Sequence, residues 1–196
     1  MKTISPKIET MTSESTAPRR KAFYGWYALA GGMLITLVSI GAFLLSFGVF
    51  LPLMCEDLGW SRASLSLGIT LGQACNGLPS PLWGYLVARY RPRTIMIAGT
   101  IIMAIGLAGM SRVHELWHVY IFYGMAGAGG GMAGIVPTST LANNWFNKKR
   151  SLALSLLVAA GCVGGFIFPP LTTAVATAFG WRWAWVGLAV IVLLLA

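Results

Sequence analysis

Charged side chains are scarce in this sequence. Asp, Glu, Lys and Arg together make up 10% of its 196 residues, whereas a soluble globular domain carries roughly 25%. Hydrophobic residues make up 57% of the chain, so a folded form would expose a largely apolar surface. The composition excludes an ordinary water-soluble domain and indicates a protein whose main solvent is the lipid bilayer.

Cysteine and histidine are also rare. The three cysteines, Cys55, Cys75 and Cys162, are far apart, have no CxxC spacing and lie in or beside apolar segments. We interpret them as small packing residues rather than as a disulfide or metal framework. We expect no cofactor and no metal site.

One short motif supports a different interpretation. His114-Glu115-Leu116-Trp117-His118 matches the HExxH pattern, in which two histidines bind zinc and the glutamate acts as general base. A catalytic zinc needs a third protein ligand, and the chain has no other histidine. A membrane zinc metallopeptidase and a noncatalytic membrane scaffold are kept as alternative functions.

Acidic residues are few, five against fourteen Lys and Arg, which leaves a net charge of +9. Eleven of the basic residues lie in three places, at positions 1–21, 89–93 and 148–150, separated by long uncharged segments. Short cytoplasmic loops of membrane proteins are enriched in Lys and Arg. The distribution of the basic residues therefore predicts a cell-membrane protein whose N-terminus lies in the cytoplasm. Because these residues mark the cytoplasmic side, we expect no nucleic-acid partner.

Six apolar runs follow a polar N-terminal segment. They cover residues 25–55, 63–88, 94–111, 118–147, 151–181 and a last stretch from 183. Each meets or approaches the roughly twenty residues that cross a bilayer as a helix. The sequence predicts an all-α membrane protein with a disordered tail over 1–22 and six transmembrane helices over 23–196. Because the last run stops within an apolar stretch, we expect a fragment truncated at the end of helix 6.

The fifth apolar run contains a cluster of glycine and proline residues. Gly161, Gly164 and Gly165 precede Pro169 and Pro170 in the fifth apolar run. Glycine and proline weaken helices and allow bends where neighbours satisfy the freed backbone groups. We predict helix bending at these five residues, with tight helix packing as the alternative.

The segment between the second and third runs reads Gly84-Tyr-Leu-Val-Ala-Arg89-Tyr-Arg-Pro-Arg93. It resembles the cytoplasmic signature of the major facilitator superfamily, in which Gly84, Arg89 and Arg93 match. Ala88 stands where the family usually has Asp, and Arg91 where it usually has Gly. The resemblance implies a gating loop at the inner side, weakened by the missing acid.

Two further segments resemble the monocarboxylate and oxalate/formate branch of that superfamily. They are residues 144–153 with the glycines and prolines that follow, and Tyr24-Gly25-Trp26 at the start of the first run. The resemblance implies one half, with 3+3 repeats, of a twelve-helix secondary transporter that works by alternating access. It also implies a missing C-terminal half as partner and a small organic anion, such as a monocarboxylate, as solute.

The runs contain no Asp, Glu, Lys or Arg, although such residues commonly mark ion sites within membranes. The candidate solute-lining residues are therefore neutral: Gln73 and Asn76, three apart in the second run, and Tyr120 and Tyr123, three apart in the fourth. Bonding between neighbouring helices is the alternative role for both pairs. A carboxylate solute would need its cationic partner from the missing half.

Overall fold

The computed structural model describes residues 24–145 and 150–194, so the predicted tail over 1–22 lies outside the described residues. Throughout those two ranges the regular elements are helical. They are α1 (Tyr24–Val38), a π-helical segment (Ser39–Leu45), α2 (Phe47–Leu58), α3 (Arg62–Gly77), α4 (Ser80–Arg89), α5 (Pro92–Met110), α6 (Leu116–Ala133), α7 (Ile135–Trp145), α8 (Arg150–Phe179) and α9 (Trp181–Leu194).

These elements form six passes, in the order that the apolar runs predict. Three passes are composite: pass 1 (24–58) joins α1, the π-helical segment and α2, pass 2 (62–89) joins α3 and α4, and pass 4 (116–145) joins α6 and α7. The other three are single helices: pass 3 is α5, pass 5 is α8 and pass 6 is α9. Among the described residues, four helical stretches are long and apolar enough to cross a membrane: Leu29–Leu58, Pro92–Met110, Leu116–Thr140 and Arg150–Phe179. The helical membrane fold is confirmed.

Glycines bring the passes into backbone contact. A Cβ atom on Gly164 in pass 5 would overlap the carbonyl oxygen of Leu37 in pass 1, and one on Gly127 in pass 4 would overlap that of Gly72 in pass 2. A Cβ atom on Gly106 in pass 3 would lie 2.6 Å from the main-chain nitrogen of Ala126 in pass 4. Small residues permit this close approach in lipid, where no hydrophobic force drives helices together.

Aromatic side chains fill the space between passes 1, 4 and 6. The rings of Phe50 and Trp185 stack with their centroids 4.2 Å apart, and Phe47 meets Tyr123 edge to face at 4.6 Å. All four side chains are fully buried. Large apolar side chains such as Phe166, 83% exposed, lie on the outside, as expected for a surface that faces lipid.

Candidate functional site

Three of the passes are interrupted near their middle. Pass 1 contains the π-helical segment. Ser46, the residue that follows this segment, donates from both its main-chain nitrogen and its hydroxyl to the carbonyl oxygen of Gly41, at 3.2 and 2.8 Å. Such single π-turns within α-helices occur frequently at functional sites. The interruption places an extra residue in the turn and shifts the side chains that follow.

Passes 2 and 4 are interrupted beside a proline. Helix α3 ends at Gly77, and α4 begins at Ser80 after a turn that contains Pro79. In pass 4 the helix stops at Ala133, Gly134 has the non-helical angles φ −77° and ψ −139°, and α7 follows. Pro137 has no N–H to donate to the carbonyl of Ala133, so it cannot continue the helical ladder through Gly134.

All three interruptions border one cavity of about 230 Å³. Its polar lining residues are Ser39, Gln73, Asn76 and Ser80, and its other lining residues are Ile40, Phe43, Leu44, Gly77, Gly130, Gly131, Gly134, Ile135 and Val136. None of these side chains is ionisable. The cavity therefore offers hydroxyl and amide groups between apolar walls, without a fixed charge.

The predicted polar residues fall into two groups. Gln73 and Asn76 line the cavity together. The hydroxyl of Tyr123 instead donates to the carbonyl oxygen of Phe43 at 2.6 Å, and that of Tyr120 donates to the carbonyl oxygen of Ser64 at 3.1 Å. Both tyrosine hydroxyls thus join pass 4 to another pass, and neither residue borders the cavity.

The predicted gating residues lie at the end of pass 2 and the start of pass 3. Arg89 is exposed and donates from Nη1 to the hydroxyl of Tyr85 at 3.1 Å, and Arg93 is exposed as well. A Cβ atom on Gly84 would meet nothing within 4 Å. Both arginine side chains are thus exposed, and the gating role of the three residues stays a prediction.

The five residues predicted to bend the fifth helix lie within α8, which is helical without interruption from Arg150 to Phe179. Gly161 faces the side chain of Ile40, Gly164 faces the backbone of Leu37, and Gly165 faces the side chain of Leu45. Pro169 accepts hydrogen bonds from the hydroxyls of two threonines, Thr172 and Thr173. All three glycines thus contact pass 1, and bending at these glycines and at Pro169 and Pro170 stays a prediction.

The HExxH residues lie where α6 begins. His118 stacks on Phe122, with 6.1 Å between ring centroids, and His114 and Glu115 precede the helix and are exposed. Within 24–145 and 150–194, no three His, Cys, Asp or Glu side chains are grouped closely enough to hold a metal ion. The zinc peptidase alternative therefore lacks its third ligand in this part of the chain.

The sequence of the bundle matches an established family. The family model of the Major Facilitator Superfamily covers residues 29–196. The chain belongs to the major facilitator superfamily. Membership points to a transporter rather than an enzyme.

Curated members of the superfamily resemble the chain at low identity. It is 26% identical to monocarboxylate transporter 13 of Rattus norvegicus over 159 residues, which are 81% of this chain and 37% of the relative. It is 30% identical to the riboflavin transporter RibJ of Trypanosoma brucei brucei (strain 927/4 GUTat10.1) over 162 residues, 81% of this chain and 29% of the relative. It is 29% identical to the oxalate:formate antiporter of Oxalobacter formigenes over 150 residues, 76% of this chain and 35% of the relative. The chain spans about a third of the length of these curated relatives.

The sequence alone did not predict some of the residues that line the cavity, and it did not predict the interruptions of passes 1 and 4. Ser39 and the glycines of pass 4, Gly130, Gly131 and Gly134, border the cavity but were not among the predicted lining residues. Pro137, three residues after Gly134, was the available signal for the interruption of pass 4. No comparable signal marks the π-helical segment of pass 1, which contains no proline.

Proposed function

We propose that the chain forms the N-terminal half of a secondary transporter that moves a small solute across the cell membrane. Residues 23–196 are the six-helix bundle and residues 1–22 a cytoplasmic tail. The observation that carries the proposal is the meeting of three interrupted passes at one uncharged cavity. In secondary transporters, discontinuous helices near the bilayer midplane form the solute site.

A small organic anion, such as a monocarboxylate, is the solute class we propose. The names of two relatives, a monocarboxylate transporter and an oxalate:formate antiporter, support this class. The cavity has a volume of about 230 Å³, whereas sites for drug-sized ligands measure about 300–1,000 Å³. Its size therefore supports a small solute. Because its lining carries no positive charge, the cationic partner of a carboxylate comes from the second half of the transporter.

Transport follows from rocking of this bundle against that second half around the cavity, so that access alternates between the two membrane faces. Gly84, Arg89 and Arg93 close the inner side. The open space beside Gly84 supports this role, because a helix of the other half can approach there closely. The glycines and prolines of α8 accommodate the motion, and this half alone does not transport.

The proposed orientation places the N-terminus in the cytoplasm. The support is the distribution of Lys and Arg, eleven of which precede pass 1 or lie where pass 2 meets pass 3 and where pass 4 meets pass 5. The opposite side carries only Arg62, Arg112 and Arg182. Attachment of a membrane-impermeant thiol reagent to a cysteine at position 91 or at position 114 distinguishes the two orientations in intact cells.

Solute binding to the purified chain tests the assignment. A ligand that binds only the folded state raises stability by RT ln(1 + [L]/Kd). We expect one of L-lactate, formate, oxalate or riboflavin to raise the unfolding midpoint of the wild-type chain and to leave that of Asn76→Leu unchanged. Ser155→Ala is the matched control, because Ser155 is exposed and bonds only within α8, to the carbonyl oxygen of Ser151. No shift with any of the four solutes would count against a solute site within this half of the transporter.

A further inference from the structure

One buried hydroxyl differs from the others in the described part of the chain. Six serine and threonine side chains among the described residues are more than nine-tenths buried, and five of them donate to a main-chain carbonyl oxygen of their own pass. These five are Thr36, Ser46, Thr100, Thr138 and Thr172, with distances of 2.6–2.9 Å. The sixth is Ser39, 8% exposed, whose Oγ has no hydrogen-bond partner among the described residues. A buried hydroxyl without a partner costs free energy unless something outside the chain satisfies it.

Ser39 is positioned to meet a bound molecule. It is the first residue of the π-helical segment, and it lines the cavity on which the interrupted passes converge. A serine within a helix usually bonds a carbonyl of the preceding turn, as Thr36 does with Gly32 at 2.8 Å. The free hydroxyl of Ser39 therefore points to an acceptor on a molecule in the cavity.

The rest of the lining restricts the chemistry of that molecule. Gln73, Asn76 and Ser80 offer neutral donors and acceptors, while Phe43 and Ile135 offer apolar surface. An ionised carboxylate loses its hydration in such a site without gaining a cation, which is unfavourable. A carbonyl, hydroxyl or ring nitrogen loses far less hydration and is satisfied by these groups.

We propose that this cavity holds the uncharged, acceptor-bearing part of the solute, with the hydroxyl of Ser39 as donor and Gln73 and Asn76 as the neighbouring polar groups. This inference rests on the proposed function, since it assigns chemistry to the same site. It makes Ser39 a determinant of solute specificity. Any ionised group of the solute lies outside the cavity, towards the second half of the transporter.

Acetamide and acetate form a matched pair of probes, because they have nearly the same shape and differ in charge. The test uses the full chain in native membranes, with Cys55, Cys75 and Cys162 changed to alanine and with Ser39→Cys added. The readout is the rate at which methyl methanethiosulfonate, an uncharged reagent, modifies Cys at position 39. Thr36→Cys in the same background is the control, because Thr36 is 1% exposed on the same pass and does not border the cavity.

We expect rapid modification at position 39, little at position 36, and protection of position 39 by acetamide at about tenfold lower concentration than by acetate. Protection by acetate at a lower concentration than by acetamide overturns this inference and leaves a solute site, and hence the proposed function, standing. The inference is also overturned if neither probe slows modification at position 39. It is overturned as well if the cysteine at position 39 reacts as slowly as the one at position 36. The stabilisation assay with L-lactate, formate, oxalate and riboflavin then decides separately on the proposed function.

A second variant gives a readout that does not depend on cysteine chemistry. Ser39→Ala removes a hydroxyl that has no partner in the chain, so we expect the free energy of unfolding without solute to be unchanged or higher. The increase in unfolding midpoint that acetamide produces in the wild-type chain is lost in Ser39→Ala and retained in Ser155→Ala. A lower stability of Ser39→Ala without solute, or an undiminished acetamide effect, contradicts the role of this hydroxyl.

Discussion

The hydroxyl of Tyr123 donates a hydrogen bond of 2.6 Å to the main-chain carbonyl oxygen of Phe43, eighty residues earlier in the chain. The same two residues stack their rings with 4.8 Å between centroids. Phe43 lies in the π-helical segment of pass 1, where the change in hydrogen-bond spacing leaves main-chain groups to be satisfied from outside the helix. Tyr123 in pass 4 thus supports the backbone of one wall of the cavity.

Removal of this hydroxyl should destabilise the bundle while leaving its packing intact. Tyr123→Phe keeps the ring that stacks on Phe43 but leaves a buried carbonyl unsatisfied. Interhelical hydrogen bonds in membranes contribute about 0.6 kcal/mol on average and up to about 1.7, and we expect the upper value here because Tyr123 is fully buried. Equilibrium unfolding in mixed detergent micelles measures the loss.

Tyr120→Phe is the control for that measurement. Its hydroxyl makes a longer bond, 3.1 Å to the carbonyl of Ser64, at a partly buried position. We expect a loss of about 0.5 kcal/mol. If Tyr123→Phe and Tyr120→Phe lose the same unfolding free energy, the hydrogen bond to the π-helical segment contributes no more than an ordinary bond between passes.

Backbone contact between passes 1 and 5 predicts a strong effect of one added methyl group. Gly164→Ala places a Cβ atom against the main chain of Leu37, which cannot rotate away as a side chain can. We expect a loss of about 1–3 kcal/mol in unfolding free energy. Gly187→Ala, in a helix position with nothing within 4 Å of the new Cβ, should be neutral or slightly stabilising, and similar losses for both variants would contradict this packing.

A side-chain hydrogen bond joins the C-terminal end of pass 1 to the start of pass 6. The indole N–H of Trp181 in α9 donates to Oδ2 of Asp57 in α2 at 3.0 Å. Asp57→Ala should cost about 1 kcal/mol. Glu56→Ala, beside it in the sequence, should change stability by less than about 0.5 kcal/mol. A double-mutant cycle of Asp57→Ala with Trp181→Phe measures the coupling, and a coupling energy near zero would show that the bond contributes nothing.

The apolar runs predicted the passes well because a bilayer allows only long, self-satisfied helices. They also placed Gln73 and Asn76 on a shared face, since residues three apart in a helix are neighbours, and both border the cavity. The positions of the interruptions depend on more than local sequence. The π-helical segment is supported by Tyr123 from a different pass, so no pattern within residues 39–45 predicts it.

The glycines of α8 illustrate the same limit. Glycine is compatible with a bend and with a close helix contact, and the sequence alone does not distinguish the two. The contact of Gly164 with Leu37 appears only when passes 1 and 5 are placed side by side. The proline signal at Pro137 is local, and it does accompany the interruption at Gly134.

The central claim is that the cavity between the interrupted passes is the solute site of a transporter. It is tested most directly by measuring the uptake of labelled L-lactate, formate, oxalate and riboflavin in cells of the organism that encodes the chain. These cells supply any partner half. Asn76→Leu and Ser155→Ala are introduced separately at the gene and compared at equal abundance in the membrane. We predict that Asn76→Leu loses saturable uptake of one solute while Ser155→Ala retains it. Uptake of all four solutes that is the same in wild type and both variants would contradict the claim.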